Sequence, residues 1–278
     1  MVSQSMDSED REAAEPAPIP YITLSEMTQP IRNHIAATTP FVHFWTDDWS
    51  PEFYRAQARL GYIAVASVGP DGLGNVLIPE LQEAYAVLDW SDLTIDRSVR
   101  AILESGRLER GEVRLVIDPD PGPVLTRLSK NWGERSWLVP EYVDLVKTLA
   151  SPEERARGAG FRILSTTLFA GREPVAGELG YAAGDAYVSL SGFFRRDRRE
   201  WNNYGKLQMV LLGSRLRSAG FAFWNLGHPY MEYKIRLGAR IAPRQEFLQR
   251  WDEAANGDIP GICQDDRESH SAVEILRE

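Results

Sequence analysis

The sequence has little of what disulfide or metal crosslinking requires. It contains one cysteine, Cys263, and four scattered histidines in 278 residues. A single cysteine excludes an internal disulfide, and no two histidines have the close spacing typical of zinc ligands. We therefore expect no metal site. Because 43% of the residues are hydrophobic, the chain can bury the core of one large domain or two smaller ones.

Long apolar runs are also absent. No segment approaches the roughly 18 consecutive apolar residues that a membrane-spanning helix needs. The first twenty residues, MVSQSMDSEDREAAEPAPIP, are acidic, whereas a secretory signal is basic and then apolar. The sequence therefore predicts a soluble, cytoplasmic protein with no membrane partner.

Basic residues are in the minority, but they are concentrated. The net charge is −9, yet residues 190–250 hold twelve Lys and Arg against four acidic residues, which leaves −17 on the rest of the chain. A segment of charge +8 is suited to contact a phosphate backbone. The alternative for a run such as RRDRRE is an ordinary solvated loop.

Composition divides the chain into four parts. Residues 1–20 are acidic and nearly free of large apolar side chains, and residues 254–278 are similarly polar, so both are predicted to be disordered tails. Between them, helix and strand signals indicate a small N-terminal α/β domain over residues 21–92 and a larger domain over residues 93–253.

The larger domain has the most regular pattern. Residues 161–194 give three extended segments separated by short turns, followed by a long helix over 203–219 that ends at Gly220. A short strand at 221–225 and two further helices follow. The predicted class is α+β, and the order of elements resembles the GNAT acyltransferase fold, a mixed sheet flanked by helices.

One feature of acetyl-CoA-dependent GNAT proteins is missing. These proteins carry a glycine-rich phosphate loop between the central strand and the long helix. The corresponding stretch here, RRDRREWNNYGKLQ, contains Gly205 as its only glycine. A helix N-terminus still offers backbone amides to an anion, but the sequence does not encode a coenzyme A cradle.

Three stretches carry a narrower resemblance: PVAGELGYAAGDAYVSLSGFF, NNYGKLQMVLLGSRLRSAGFAFWNLGHP and LGARIAPRQEFLQRW. They resemble the leucyl/phenylalanyl-tRNA-protein transferases, whose pattern includes an Asn-x-x-Lys helix start, an Asp-Cys-Gln strand end and a Leu-Gly-Ala closing segment. Weaker similarity extends the match to about residues 54–251. It is strong in the last eighty of these residues and diffuse before them.

The resemblance implies an aminoacyltransferase. This family moves an amino acid from an aminoacyl-tRNA ester to an amine acceptor, and the activated ester makes a metal or redox cofactor unnecessary. The implied partners are aminoacyl-tRNA and an amine, either a protein N-terminus or a small molecule. Two alternatives remain open: an N-acyltransferase that uses an acyl-CoA or carrier thioester, and a non-catalytic tRNA-binding relative.

The resemblance also assigns residues to tRNA binding. Trp137 matches a tryptophan that stacks on the terminal adenine. Asn203 and Lys206 match the Asn-x-x-Lys helix start. The predicted acceptor-arm contacts are Arg195, Arg196, Arg198 and Arg199. Core packing is the alternative role for Trp137, and capping of the helix is the alternative for Lys206.

Departures from the family fall in the aminoacyl pocket. A pocket glutamate is replaced by Leu190, a methionine by Gly192, and an apolar position on the preceding strand by Glu178. If buried, Glu178 needs a partner, for which an ammonium or guanidinium group is expected; if it lies on an edge strand, it faces solvent instead. The predicted pocket comprises Glu178, Leu190, Ser191, Gly192, Phe193 and Trp224.

The predicted catalytic residues centre on a strand end. Asn225 stands where the family has an aspartate that serves as the base. An amide cannot accept that proton at neutral pH. The proton is therefore expected to leave through the ribose hydroxyl, water, Glu178 or Tyr187, with Asn225 orienting the ester. The departures together predict transfer chemistry with altered specificity.

Overall fold

The computed structural model describes residues 19–39, 43–110, 112–133, 136–263 and 267–277. Most of the predicted acidic tail at residues 1–20 lies outside them. The described helices are α1 (Gln29–Thr38), α2 (Pro51–Arg59), α3 (Arg97–Glu104), α4 (Arg107–Arg110), α5 (Gly122–Trp132), α6 (Pro140–Leu149), α7 (Pro152–Arg157), α8 (Tyr204–Ala219), α9 (Glu232–Leu237), α10 (Arg244–Ala254) and α11 (Ala272–Ile275). The described strands are β1 (Ile63–Val68), β2 (Asn75–Glu80), β3 (Ala84–Leu88), β4 (Val113–Asp118), β5 (Phe161–Ala170), β6 (Glu173–Ala183), β7 (Ala186–Phe194), β8 (Phe223–Asn225), β9 (Arg240–Pro243) and β10 (Glu268–Ser271).

Local signals explain where the main helices begin and end. The Ser50 side chain accepts a hydrogen bond from the Phe53 amide at the start of α2, and Pro51 occupies the first helical position, where a missing N–H costs nothing. At the other end of the domain, α8 terminates at Gly220, which adopts a left-handed conformation. Both boundaries are therefore set by residues within the helices or next to them.

Eight strands form one sheet in the order β10-β4-β5-β6-β7-β8-β3-β9. Every neighbouring pair is antiparallel except β7 and β8, which are parallel. The strands β1 and β2 form a separate antiparallel pair. A large mixed sheet with helices on both sides confirms the predicted α+β, GNAT-like class.

Each face of the large sheet has its own apolar core. One core contains Leu207 and Leu211 of α8 together with the strand residues Tyr187 and Trp224, and we call this side the α8 face. The other core contains Tyr54 of α2 and strand residues such as Phe223, and we call it the α2 face. Because side chains alternate along a strand, strands in the middle of the sheet such as β3 and β8 contribute to both cores.

The predicted division into domains does not correspond to separate sheets. Strand β3, which belongs to the predicted N-terminal domain, lies between β8 and β9 of the larger sheet. Residues 268–271, which were placed in a polar C-terminal tail, form β10 and pair with β4 at the opposite edge. The domain boundaries therefore stay a prediction, while the sheet itself extends across them.

The turn that ends α9 tests how tightly α9 is held. Gly238 has φ +112°, and a Cβ there would lie 1.8 Å from the Asp92 carbonyl oxygen. We expect Gly238→Ala to lower the free energy of unfolding by about 3 kcal/mol or more, because backbone atoms cannot give way. Gly171→Ala is the control, since Gly171 also has positive φ (+60°) but a Cβ would meet nothing within 4 Å. Equal losses in urea unfolding would contradict this explanation.

Candidate active site

The two parallel strands of the sheet part after a short pairing. Strands β7 and β8 pair only from Ala186–Phe223 to Val188–Asn225, although β7 continues to Phe194. Ser189, Leu190 and Ser191 lose their neighbour on that side and become half-buried, whereas the three paired residues before them are fully buried. We call the gap that this parting leaves between β7 and the end of β8 the cleft.

A buried carboxylate lies beside this cleft on the α8 face. Glu178 of β6 is 4% exposed. Its Oε1 accepts hydrogen bonds from the Tyr187 hydroxyl at 2.9 Å and from Ser189 Oγ at 2.8 Å, and Gln208 Nε2 of α8 lies 3.4 Å from Oε2. The expected ammonium or guanidinium partner is not present among the described residues. Three neutral donors satisfy Glu178 instead.

Ser189 connects the carboxylate to the cleft. Its hydroxyl accepts a hydrogen bond from Trp224 Nε1 at 2.8 Å while it donates to Glu178. Because an indole N–H only donates, Trp224 directs the serine proton toward Glu178 and leaves a serine lone pair free. Ser189 is half-buried, whereas Glu178 and Trp224 are buried. A proton from the cleft therefore has a path to Glu178 through one hydroxyl.

Close packing brings Tyr187 onto the same oxygen. The tyrosine hydroxyl lies over Gly180, where a Cβ would come within 2.3 Å of it. A residue with a side chain at position 180 would therefore displace the ring. Gly180 also adjoins the register shift between Leu179 and Gly180 in the pairing of β6 with β7. This irregularity lets both Tyr187 and Ser189 reach Glu178.

Burial gives Glu178 an unusual acidity. Removal from water raises the pKa of Glu178 from 4.5 to about 6, and the hydrogen bonds from Ser189, Tyr187 and Gln208 oppose the rise. A carboxyl with a pKa near 6 accepts and releases a proton close to neutral pH. General acid–base catalysis requires this property.

Asn225 does not join this network. Phe223 contributes to the α2-face core and Trp224 to the α8-face core, so alternation places Asn225 on the α2 face, across the sheet from Glu178. Its Oδ1 accepts a hydrogen bond from the Gly227 amide at 2.8 Å. Asn225 is 1% exposed, and its Nδ2 has no hydrogen-bond partner among the described residues. The structure thus brings Glu178, Tyr187 and Trp224 together but not Asn225.

The turn after β8 holds charged side chains that sequence patterns did not single out. Lys234 of α9 is 5% exposed and donates to the His228 carbonyl oxygen at 2.8 Å. Burial lowers the pKa of Lys234 to about 8. Nearby, the buried Glu80 carboxylate lies 2.8 Å from His228 Nε2 and 3.4 Å from His43 Nε2. Among the described residues, no group of three or more His, Cys, Asp or Glu side chains is arranged so that it could hold a metal ion.

The predicted tRNA contacts lie on different sides of the sheet. Trp137 packs against the α2-face core, edge-on to Tyr142 with ring centroids 4.7 Å apart. Lys206, near the start of α8, forms an ion pair with Asp96 at 2.6 Å. Asn203 precedes α8 in a left-handed conformation, and its side chain makes no capping hydrogen bond. Trp137 and Lys206 are therefore not brought together.

The arginine cluster is partly neutralised. Arg195 bridges Asp197 and Glu173, and its guanidinium lies 4.1 Å from the Trp201 ring centroid. Arg198 also covers Trp201, at 4.6 Å, and Arg196 covers Phe194. Across the basic segment, seven cations form ion pairs within the described residues: Arg195, Arg198, Lys206, Arg215, Arg236, Arg240 and Arg250. The exposed Arg196 and Arg199 retain the most accessible charge here.

The remaining predicted pocket residues follow the free part of β7. Leu190 packs against the α2-face core, and Phe193 is buried. Gly192 pairs across the strands with Glu178, and its carbonyl oxygen accepts a hydrogen bond from Trp132 Nε1 at 3.3 Å. Ser191 is half-buried beside them. These residues form one wall of the cleft.

Four polar residues near Glu178 or near the turn after β8 were not predicted from the sequence. Ser189 lies inside the motif YVSLSGFF, but a single serine in a strand carries no pattern of its own. Gln208 Nε2 donates to Thr166 Oγ1 at 3.2 Å and completes the network around Glu178. Neither residue could be recognised from the sequence, because both contacts join residues that are far apart in the chain. The detectable signal for Lys234 was a lysine at an apolar position of α9.

Comparison with known proteins agrees with this fold. The acetyltransferase (GNAT) domain family matches residues 95–235, which is 141 of the 278 residues. The chain belongs to this family and is an acyltransferase. No curated protein sequence matches the chain.

Two solved structures are similar at low identity. One is the C-terminal domain of a protein described as a lysylphosphatidylglycerol synthetase from Agrobacterium fabrum, with 15% identity, a TM-score of 0.41, and coverage of 72% of this chain and 65% of that one. The other is L-PGS from Bacillus licheniformis, with 12% identity, a TM-score of 0.39, and coverage of 76% and 70%. Within the described residues, no helix of this chain has the length and apolar character to cross a bilayer.

The raised pKa of Glu178 predicts how stability depends on pH. Because the pKa of Glu178 is higher in the folded than in the unfolded protein, the stability that protonated Glu178 contributes is complete below pH 4.5 and is lost as the pH rises through about 6. The loss corresponds to about 2 kcal/mol. We expect Glu178→Gln to remove this pH-dependent term, as measured by urea unfolding at pH 4 and pH 7.5. Identical pH dependence in both proteins would contradict a raised pKa at Glu178.

Proposed function

We propose that the protein transfers an aminoacyl group from an aminoacyl-tRNA ester to an amine acceptor, with a specificity that differs from Leu and Phe. The observation that carries the proposal is the Glu178–Ser189–Trp224 chain at the opening between β7 and β8. It provides a base near neutral pH that reaches the cleft through one oriented hydroxyl. Amide formation from an ester and an ammonium ion requires such a base.

The proton path follows from the hydrogen bonds. An ammonium acceptor first releases one proton to Ser189 Oγ as Ser189 passes its own proton to Glu178. The amine nitrogen then attacks the ester carbonyl carbon, the C–N bond forms, and the bond from carbon to the ribose oxygen breaks. The nitrogen releases a second proton, which the ribose oxygen takes. The products are the amide, the free ribose hydroxyl and a protonated Glu178.

The linker before α8 supports an RNA donor over coenzyme A. Residues 195–203 contain no glycine, and two of the arginines lie over the Trp201 ring. A tight glycine loop would let backbone amides approach a pyrophosphate closely. Exposed Arg196 and Arg199 are instead suited to phosphates spaced along a nucleic acid backbone. Ion pairing of their neighbours limits the size of this basic surface.

An acyl-CoA or carrier thioester is the second candidate donor. The family match to an acetyltransferase domain favours it. The same Glu178 and Ser189 would serve that reaction, because the acceptor is again an amine. The identity of the donor therefore has to be tested separately from the base.

We expect purified protein to transfer labelled amino acid from a mixed aminoacyl-tRNA pool to an amine pool, and RNase treatment of the charged tRNA to abolish product. Activity that resists RNase and depends on acetyl-CoA would replace the proposal with the thioester reaction. Tight tRNA binding without any turnover would indicate a non-catalytic relative. The double variant Arg196→Glu, Arg199→Glu should weaken transfer from tRNA and leave the melting temperature of the protein unchanged.

The base is tested by two variants and a pH profile. We expect Glu178→Gln and Ser189→Ala to lower kcat/KM about 100-fold or more, the usual range for loss of general base catalysis. The wild-type profile should rise with pH through an apparent pKa near 6, since only ionised Glu178 accepts the proton. The Ser67→Ala variant is the control, because Ser67 is an exposed serine of β1 that lies outside the site. A wild-type level of transfer in Glu178→Gln would remove Glu178 from the mechanism.

A further inference from the structure

Two buried side chains at the turn of residues 225–228 have N–H groups without an acceptor. One is Asn225 in the turn, and the other is Lys234 of α9, which contacts it. Lys234 has three ammonium hydrogens, and one of them meets the His228 carbonyl oxygen. Asn225 has its Oδ1 fixed on the Gly227 amide, so its Nδ2 donors face away from the turn, where none of the described residues accepts a hydrogen bond from them. Both side chains are more than nine-tenths buried. A buried donor without an acceptor is unfavourable unless a ligand supplies one.

The positive charge of Lys234 is also uncompensated. No carboxylate of the described residues lies within ion-pair distance of its Nζ. Glu80 of β2, whose carboxylate contacts His228 of this turn, is paired with His228 and His43 instead. Burial alone accounts for the lowered pKa of Lys234, with no opposing contribution from an acidic side chain. A bound anion would supply the missing counter-charge.

We propose that Lys234 and Asn225 form a binding site for the carboxylate of a small amine acceptor. Two donors of different kinds, an ammonium and an amide, match the two oxygens of one carboxylate. The single positive charge suits a monoanion, and neighbouring Glu80 disfavours a dianion such as a phosphate monoester. Because both donors are buried, a terminal group can reach them and a continuous polymer backbone cannot.

The position of the turn connects this site to transfer. Asn225 pairs with Val188, and Ser189 is the next residue along β7, where the cleft opens. A Cβ on Gly227 would lie 3.9 Å from Lys234 Nζ and 3.6 Å from Ile63 of the α2-face core, which places the ammonium group on the α2 face. An acceptor whose carboxylate contacts Lys234 there would extend its amine through the cleft toward Ser189 on the α8 face. The half-exposed ring of His228, 45% accessible, leaves a route to the turn from solvent. This inference rests on the proposed function and narrows its acceptor to an amino acid or short peptide.

Binding is tested without any donor. Calorimetric titration uses the twenty amino acids, ω-amino acids and dipeptides, each against its C-terminal amide, on the full-length chain. We expect at least one carboxylate to bind 10-fold or more tightly than its amide, and Lys234→Met to abolish this preference. Lys147→Met, which removes an exposed lysine of α6 instead, should bind like the wild type. Equal affinity for acids and amides, or unchanged binding by Lys234→Met, would overturn the site.

A second variant covers the possibility that Lys234→Met does not fold. Asn225→Asp keeps the oxygen that accepts from Gly227 and places an internal carboxylate beside Lys234. We expect it to raise the melting temperature and to weaken carboxylate binding 10-fold or more. Inorganic phosphate is titrated as the competing anion. Binding of phosphate without binding of any carboxylate would overturn the carboxylate assignment. Since no tRNA is present, loss of this site and failure of RNA-dependent transfer are separate outcomes.

Discussion

A carboxylate inside an apolar sheet is stable only when donors meet its oxygens, and Glu178 of β6 meets this condition through residues of two other elements. Tyr187 and Ser189 come from β7, and Gln208 comes from α8. Each must be placed within a few tenths of an ångström, because a buried hydrogen bond that is lengthened or lost leaves the carboxylate exposed to the full cost of desolvation. The register of β6 and β7 and the packing of α8 are therefore tied to one side chain.

The parting of β7 and β8 turns this structural requirement into a site. Where the strands pair, both faces of the sheet are sealed by apolar cores; one residue further on, Ser189 is half-buried and its hydroxyl is in reach of the cleft. The same point on β8 ends in Asn225, which belongs to the other face. The strand end therefore has a buried carboxylate on one side of the sheet and unused donors on the other. In the proposed reaction, this arrangement would bring an acceptor amine to the ester carbonyl carbon of the donor.

Local features of the fold could be predicted from the sequence. Ser50 and Pro51 mark the start of α2, Gly220 marks the end of α8, and the alternating segments at 161–194 give the meander of the large sheet. These signals lie within a few residues of the element they define. Strand β10 had no such signal: its residues, Glu268–Ser271, are polar and become a strand because the edge of β4 is available to pair with them.

The site was harder to predict because its contacts are long-range. The sequence left open whether Glu178 is buried or faces solvent, and its three neutral partners depend on the register shift beside Gly180 and on the packing of α8. Lys206 was expected to be available for phosphate, yet its partner Asp96 lies 110 residues earlier in the chain. Alternation along β8 placed Asn225 opposite Trp224, and only the positions of the two cores determine which face of the sheet each of them lies on.

Charge accounts for the last difference between pattern and structure. A segment of charge +8 indicates a basic surface only if its cations lack partners, and acidic residues from distant parts of the chain, such as Asp89, Asp96 and Glu268, bind several of them. Five cations of the segment form no such ion pair among the described residues. Arg196, Arg199 and Arg217 are exposed and suit phosphates in solvent, Arg244 donates to the carbonyl oxygens of Leu81 and Gln82, and Lys234 is buried. In the proposed carboxylate site, burial would strengthen the attraction of Lys234 for one matched anion and keep large anions out, so the selection of substrate would rest on this lysine.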